Sequence, residues 1–220
     1  MRALSDWLEA ALPEAAFAGW TDAALARAAR TANLSKGQQR LAAPRGALDL
    51  IDAWAAAADE AVSARLSEPD VEALKIREKV RLGVVTRLNA LEPHHDAARR
   101  ALARLAMPDG VGDGARILWR AADVIWRGLG DRSTDANFYS KRAILSGVIA
   151  TTSAVWAQEH DPERPRAWAM LDARINNVMQ FEKWKRARAS APNAGRTGLD
   201  GLARLRYGGG RARPRQASRW

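Results

Sequence analysis

Apolar residues recur at three- and four-residue spacing along the chain as far as residue 188, and no stretch alternates apolar and polar positions as a strand would. The pattern predicts an all-α fold, and helix breakers divide it into segments. A first helix covers 4–12, with Asp6 and Glu9 spaced like a capping box, and Pro13 is expected to end it. Thr21 is placed to cap a helix over 22–32, and Ser35 to cap a short one reaching 42. Pro44 opens a longer segment over 45–67, closed by the break at 67–70. Helices over 70–91 and 94–106 follow, then a loop, "MPDGVGDG", and three long helices over 114–129, 135–159 and 163–188.

Beyond residue 188 the composition shifts to Gly, Pro, Arg and Ser, which predicts a disordered basic tail over 189–220. Within it Leu199, Leu202 and Leu205 stand at three-residue spacing beside Arg204 and Arg206. This weak amphipathic segment is suited to an anionic membrane surface; the competing reading is a solvated tail. The expected organisation is therefore a head over 1–45, a helical bundle over 46–188 and this tail.

Charge sharpens the division. The chain carries a formal net charge of +10, and seven arginines against one aspartate in 189–220 account for +6 of it. The high isoelectric point thus says little about the folded part. No run approaches the ~18 apolar residues of a membrane span. The N-terminus carries Asp6 and Glu9, unlike a secretion signal or an acid-poor transit peptide, so a cytoplasmic protein is expected, peripheral on the cytoplasmic face of the inner membrane.

The residues of most catalytic sites are missing. There is no cysteine, and His94, His95 and His160 lack metal-ligand spacing and read as surface histidines. No phosphate-binding glycine loop or nucleophile elbow occurs, and the acids select no catalytic pair. The chemistry points away from an enzyme and from any cofactor.

Nine tryptophans stand out instead. Trp119 and Trp126 are seven apart and share a helix face; Val148 and Trp156 belong to the stripe of the next helix, and Leu171, Ile175 and Met179 to that of the last. These stripes are core packing first. Their second reading is a cavity for a long apolar ligand, and periodicity alone does not separate the two. In "GDRSTDANFYSKRA", residues 130–143, Gly130 ends one helix and a small polar residue caps the next. Phe138 and Tyr139 then sit side by side, where a single helix face cannot bury both. Near the N-terminus "GWTDAALARAARTANLSKG" has the rhythm of a helix-turn-helix and looks like the DNA-binding head of TetR-type regulators. Lys36, Gln38, Gln39 and Arg40 would be its base-reading groups, but the aromatic pair that seats such a helix is missing.

One resemblance draws these features together. "RAADVIWRGLGDRSTDANFYSKRAILSGVIATTSAVW" (120–156) and "WAMLDARINNVMQFEKWK" (168–185) resemble the Coq-nine family, lipid-binding accessory proteins of ubiquinone biosynthesis, over roughly residues 5–188. The resemblance implies a TetR-like helical bundle with a helix-turn-helix-like head, whose apolar pocket holds an isoprenoid quinone or phospholipid. It also implies a surface patch that docks the demethoxyubiquinone hydroxylase, matching Asp135, Asn137, Phe138 and Tyr139 here, with Arg142 beside them in the same signature. By fold analogy it implies a homodimer through the last two long helices. The alternative is a TetR-type transcriptional regulator with an apolar effector pocket, for which the missing seating aromatics make nucleic acid a poor partner.

Overall fold

In the computed structural model of the protein, the described residues are 2–131 and 136–190, with side chains described for 2–131 and 138–178. The tail positions Leu199, Leu202, Arg204, Leu205 and Arg206 lie outside the described residues, as do Asp135 and the side chains of Asn137 and Met179. The fold is all-α, with no strand among the described residues. It comprises α1 (Arg2–Ala18), α2 (Asp22–Thr31), α3 (Lys36–Ala42), α4 (Ala47–Leu66), α5 (Ile76–Leu91), α6 (His95–Leu105), α7 (Val111–Gly128), α8 (Ala136–Gln158) and α9 (Pro165–Ser190). Short 3-10 turns at Pro69–Val71 and Glu92–His94 carry the chain into α5 and α6. Met1–Val178 form one compact unit and Met179–Trp220 a second.

Local signals set most boundaries. Thr21 Oγ1 accepts from the Ala24 N–H at the start of α2, and Ser35 and Gln38 form a reciprocal capping box on α3. The expected stop at Pro13 does not occur, because α1 runs through it to Ala18. Proline removes one N–H and frees the Glu9 carbonyl, but both residues face solvent, where water can take the free carbonyl. The flanking Ala11, Leu12 and Ala15 are buried and hold the helix together. Gly19, at φ +76°, ends it instead, its N–H donating to the Ala15 carbonyl at 2.9 Å.

One apolar core joins the head to the bundle. Helix α1 packs on α2 and α6, α4 on α5 and α7, and α7 on α8. Buried tryptophans tie segments far apart in sequence: Trp7 Nε1 donates to the Leu25 carbonyl at 3.1 Å and Trp20 Nε1 to the Ala97 carbonyl at 3.0 Å. Each indole thus buries its ring without stranding its N–H. At Gly83 a Cβ would meet Ile125 Cγ1 at 2.9 Å, so the missing side chain lets α5 approach α7.

A ladder of charge crosses the same elements. Arg120 on α7 donates to Asp59 Oδ2 at 2.9 Å and Asp52 Oδ1 at 2.6 Å, and Arg116 reaches Asp52 Oδ2 at 3.0 Å and Asp113 Oδ1 at 2.8 Å. Arg45 continues it to Asp113 and Asp49, and Arg87 on α5 closes the inner end on Asp59 Oδ1 at 2.8 Å. Burial acts to raise the Asp52 carboxyl, but hydrogen bonds from Arg120 and Arg116 outweigh it and hold the group below the usual carboxylate range. At Asp113 hydrogen bonds from Arg116 and Arg45 have the same effect.

One buried polar atom is orphaned. Thr152 Oγ1 has no hydrogen-bond partner among the described residues. Such a group costs roughly 1–3 kcal/mol. Thr152→Val is therefore expected to raise the melting temperature by about 2–4 °C per kcal/mol recovered, and differential scanning calorimetry reads it directly. A fall would show that the hydroxyl is bonded after all.

Candidate ligand cavity and docking surface

An apolar cavity of about 390 Å³ lies among α4, α5, α6, α7 and α8. Ile51 and Trp54 of α4, Leu88 of α5, Ala101 of α6, Ile117 of α7 and Trp156 of α8 form its buried wall. The space exists because alanines stand at 55, 98, 101 and 150, where longer side chains would fill it. Its lining is exposed only at Ala106, Val111 and Ala115, so the opening lies at the turn between α6 and α7, next to the exposed Met107. The volume falls in the ~300–1,000 Å³ range of small-molecule pockets.

Trp156 anchors one wall. Its Nε1 donates to Glu92 Oε2 at 2.9 Å, and Arg164 Nη2 donates to the other carboxylate oxygen at 2.5 Å. Burial acts to raise the Glu92 carboxyl, but these two donors outweigh it and hold the group below the usual range. His95 stands edge-on to the Trp156 ring, centroids 4.6 Å apart, with Nε2 3.1 Å from the Trp156 carbonyl. The expectation of a solvated histidine is thus corrected at His95, which is partly buried by this contact, while His94 and His160 are exposed.

Of the residues expected to line a lipid slot, Trp156 lines this cavity and the others with described side chains do not. Val148, Leu171 and Ile175 are buried core residues away from it. Trp126 packs partly buried with its Nε1 donating to the Lys141 carbonyl at 3.2 Å, and Trp119 faces Tyr139 at 6.2 Å between ring centroids. The residues that sequence reasoning missed, Ala98 and Ala101 among them, carry no signal that separates a cavity wall from ordinary helix packing.

The aromatic pair divides as a single helix face requires. Tyr139 is 64% exposed, while Phe138 is half-buried, edge-on to it at 5.1 Å, with the Arg142 guanidinium 3.5 Å over its ring. Tyr139 and the half-buried Trp119 thus make an aromatic surface at the start of α8. Arg142 corrects the expectation of a surface contact. It is 1% exposed, and its donors are taken by Asp123 Oδ1 at 2.6 Å, Asp131 Oδ2 at 3.2 Å and the Phe138 carbonyl at 3.2 Å. A charge so buried is stable only with its acids in place, so Arg142 positions Phe138 rather than meeting a partner.

The head offers little to DNA. Helix α3 buries none of its residues, and Leu41 projects into solvent. The Gln38 side chain accepts from the Ser35 N–H at 2.8 Å and that of Gln39 donates to the Leu34 carbonyl at 2.9 Å, so both are engaged within the head itself.

Fold and cavity together define an all-α bundle with an apolar cavity among five of its helices, and no helix among the described residues is long and apolar enough to cross a membrane. The COQ9 family model matches residues 111–182, the stretch that carries α7, α8 and most of α9. The ubiquinone biosynthesis protein COQ9 of Rattus norvegicus is 31% identical over 192 residues, covering 84% of this chain and 61% of the relative. Its Homo sapiens counterpart is 30% identical over 203 residues, covering 89% and 64%, and a probable coq9 of Dictyostelium discoideum is 22% identical over 173, covering 76% and 56%. The chain belongs to the COQ9 family and spans about three fifths of the length of the rat and human relatives. The expected cytoplasmic location is overturned by the same comparison, since these relatives are named as mitochondrial proteins.

Proposed function

We propose that this protein serves ubiquinone biosynthesis without catalysing a step itself. It holds a polyprenyl quinone intermediate or a phospholipid in the α4–α8 cavity and delivers the quinone to the demethoxyubiquinone hydroxylase at a membrane surface. The observation that carries the reading is the cavity: apolar on nearly every side, enclosed by five helices and open at one turn. Moving one methylene from water to an apolar site gains ~0.8 kcal/mol, so even one C5 unit of a prenyl tail costs several kcal/mol to expose. A space of about 390 Å³ covers a ring and the first part of a tail. The rest must leave by the opening, where the exposed Met107 and Val111 favour contact with a bilayer. The basic tail, with Arg204 and Arg206 beside Leu199, Leu202 and Leu205, adds attraction to anionic lipids at about 1 kcal/mol per cation near the surface. The open face of α8 at Ala143, Ile144 and Gly147 suits the helix-to-helix contact of a homodimer.

Trp54 and Trp156 line the cavity, so a quinone bound there quenches tryptophan emission saturably. Titration with a quinone carrying a short prenyl tail tests the reading, and an unsaturable, collisional decrease would count against it. Docking has its own test. Tyr139→Ala is expected to weaken hydroxylase binding at least roughly tenfold, as loss of an interface tyrosine does, while the melting temperature stays put because the ring is largely in solvent. Surface plasmon resonance against the hydroxylase reads the first effect and a thermal melt the second.

A further inference from the structure

Two polar side chains sit in the wall of the apolar cavity. Arg87 is 5% exposed and Ser153 is 4% exposed, and both line the space. Arg87 spends its Nε–H on Asp59 Oδ1 at 2.8 Å, and its terminal Nη groups have no hydrogen-bond partner among the described residues. The Ser153 hydroxyl has none either. Among the described residues Thr152 Oγ1 is the buried side-chain polar atom that is both sealed off and unpartnered, so the free donors of Arg87 and Ser153 face accessible space, and the space they line is the cavity.

We infer that Arg87 and Ser153 form a hydrogen-bonding pole inside the cavity that takes a neutral oxygen acceptor, a carbonyl, on the ring of an otherwise apolar ligand. The inference rests on the cavity being a lipid site, as proposed above, and adds which end of the ligand goes in first. A donor left unpaired in an apolar space costs free energy that an incoming acceptor recovers. The charge ladder decides between a neutral and an anionic acceptor. Arg45, Arg87, Arg116 and Arg120 are matched by Asp49, Asp52, Asp59 and Asp113, so the pole carries donors without a net charge to offset a buried anion. A carboxylate or phosphate would lose its hydration for no compensating ion. A carbonyl brings a strong acceptor and little desolvation. The ring of the bound ligand then lies inward on Arg87 and Ser153, and its tail points to the opening at Val111. This is the state in which the ligand is carried, and transfer to a partner begins when the carbonyl leaves the pole.

The test uses the full chain and a shape-matched pair of probes. 2-Methyl-1,4-naphthoquinone and 2-methylnaphthalene share ring and methyl group and differ in the two carbonyl oxygens; 2-naphthoate supplies the anion. Binding is measured by isothermal titration calorimetry on wild type, Ser153→Ala and Arg87→Lys, the last of which keeps the cation beside Asp59 but loses the planar fork. Each variant is expected to bind the naphthoquinone roughly tenfold more weakly, the worth of one charge-assisted or well-placed neutral hydrogen bond, and to bind methylnaphthalene within about twofold of wild type. The retained methylnaphthalene binding shows that the variants are folded. In difference infrared spectra the quinone carbonyl stretch shifts to lower wavenumber in wild type and reverts in the variants. Wild type that binds both ring probes, with variants that lose both equally or lose neither, overturns the polar pole and leaves the cavity standing. Tighter binding of 2-naphthoate than of the quinone overturns the choice of a neutral acceptor. Wild type that binds neither ring probe overturns the cavity reading and this inference with it.

Discussion

Asp59→Ala is expected to be among the most damaging single substitutions in the folded unit, at about 3–5 kcal/mol, the cost of removing one partner of a buried ion pair. Asp59 is buried and receives Arg87 Nε at 2.8 Å and Arg120 Nε at 2.9 Å. Arg120 retains Asp52 and is part-exposed, so it loses little. Arg87 is buried and loses the one hydrogen-bond partner it has among the described residues. The uncompensated cation, more than the lost attraction, sets the cost. Surface pairs such as Arg65 with Asp70 set the contrast, since water screens an exposed pair and solvates whichever partner is left. For a chain of this size the melting temperature should fall by roughly 10 °C. The double variant Asp59→Leu, Arg87→Met should recover much of the loss, because replacing both charges leaves neither stranded. A double variant no more stable than Asp59→Ala alone would show that the lost pair, rather than the stranded charge, sets the cost.

Trp156→Ala is the second large effect. The ring is buried, stands against His95, holds Glu92 through its N–H, and forms part of the cavity wall. Truncating a buried tryptophan costs about 3–5 kcal/mol, and the space it vacates adds to a cavity that already exists. The enlarged cavity is expected to bind apolar ligands better than wild type does, since an apolar void stays dry and takes an apolar guest. Saturating 2-methylnaphthalene should therefore raise the melting temperature of Trp156→Ala more than that of wild type. Equal shifts in the two proteins would mean that Trp156 does not border the ligand.

Much of the fold was legible along the chain because helix signals are local. Thr21 and Ser35 cap where small polar residues precede apolar periodicity, and the long C-terminal helices fall close to where the spacing puts them. Pro13 misled because its effect depends on which side of the helix it occupies, and exposure is not written in the residue itself. The cavity was hidden for a related reason. Its wall draws single residues from five helices, many of them alanines, and alanine at a helix face reads as close packing whether or not a neighbour arrives to fill the space. The stripes of Val148, Leu171 and Ile175 were visible as buried faces, but a face does not say whether it meets side chains or a void. Phe138 and Tyr139 were legible as a conflict of facing, and the structure divides them accordingly. Arg142 was not, because its burial depends on Asp123 and Asp131 meeting it from α7 and the turn beyond. The charge ladder had a faint trace in the seven-residue spacing of Asp52 and Asp59 and the four-residue spacing of Arg116 and Arg120, which place each pair on one helix face.

The central claim is that the α4–α8 cavity holds a lipid. Its most direct test is to purify the protein from a quinone-producing host without detergent, extract it with organic solvent, and quantify the extract by mass spectrometry against protein concentration. The account predicts a stoichiometric quantity of quinone or phospholipid, reduced when Ala101→Trp fills the cavity. Only trace lipid in the wild-type extract, or an equal amount from the cavity-filled variant, would contradict it.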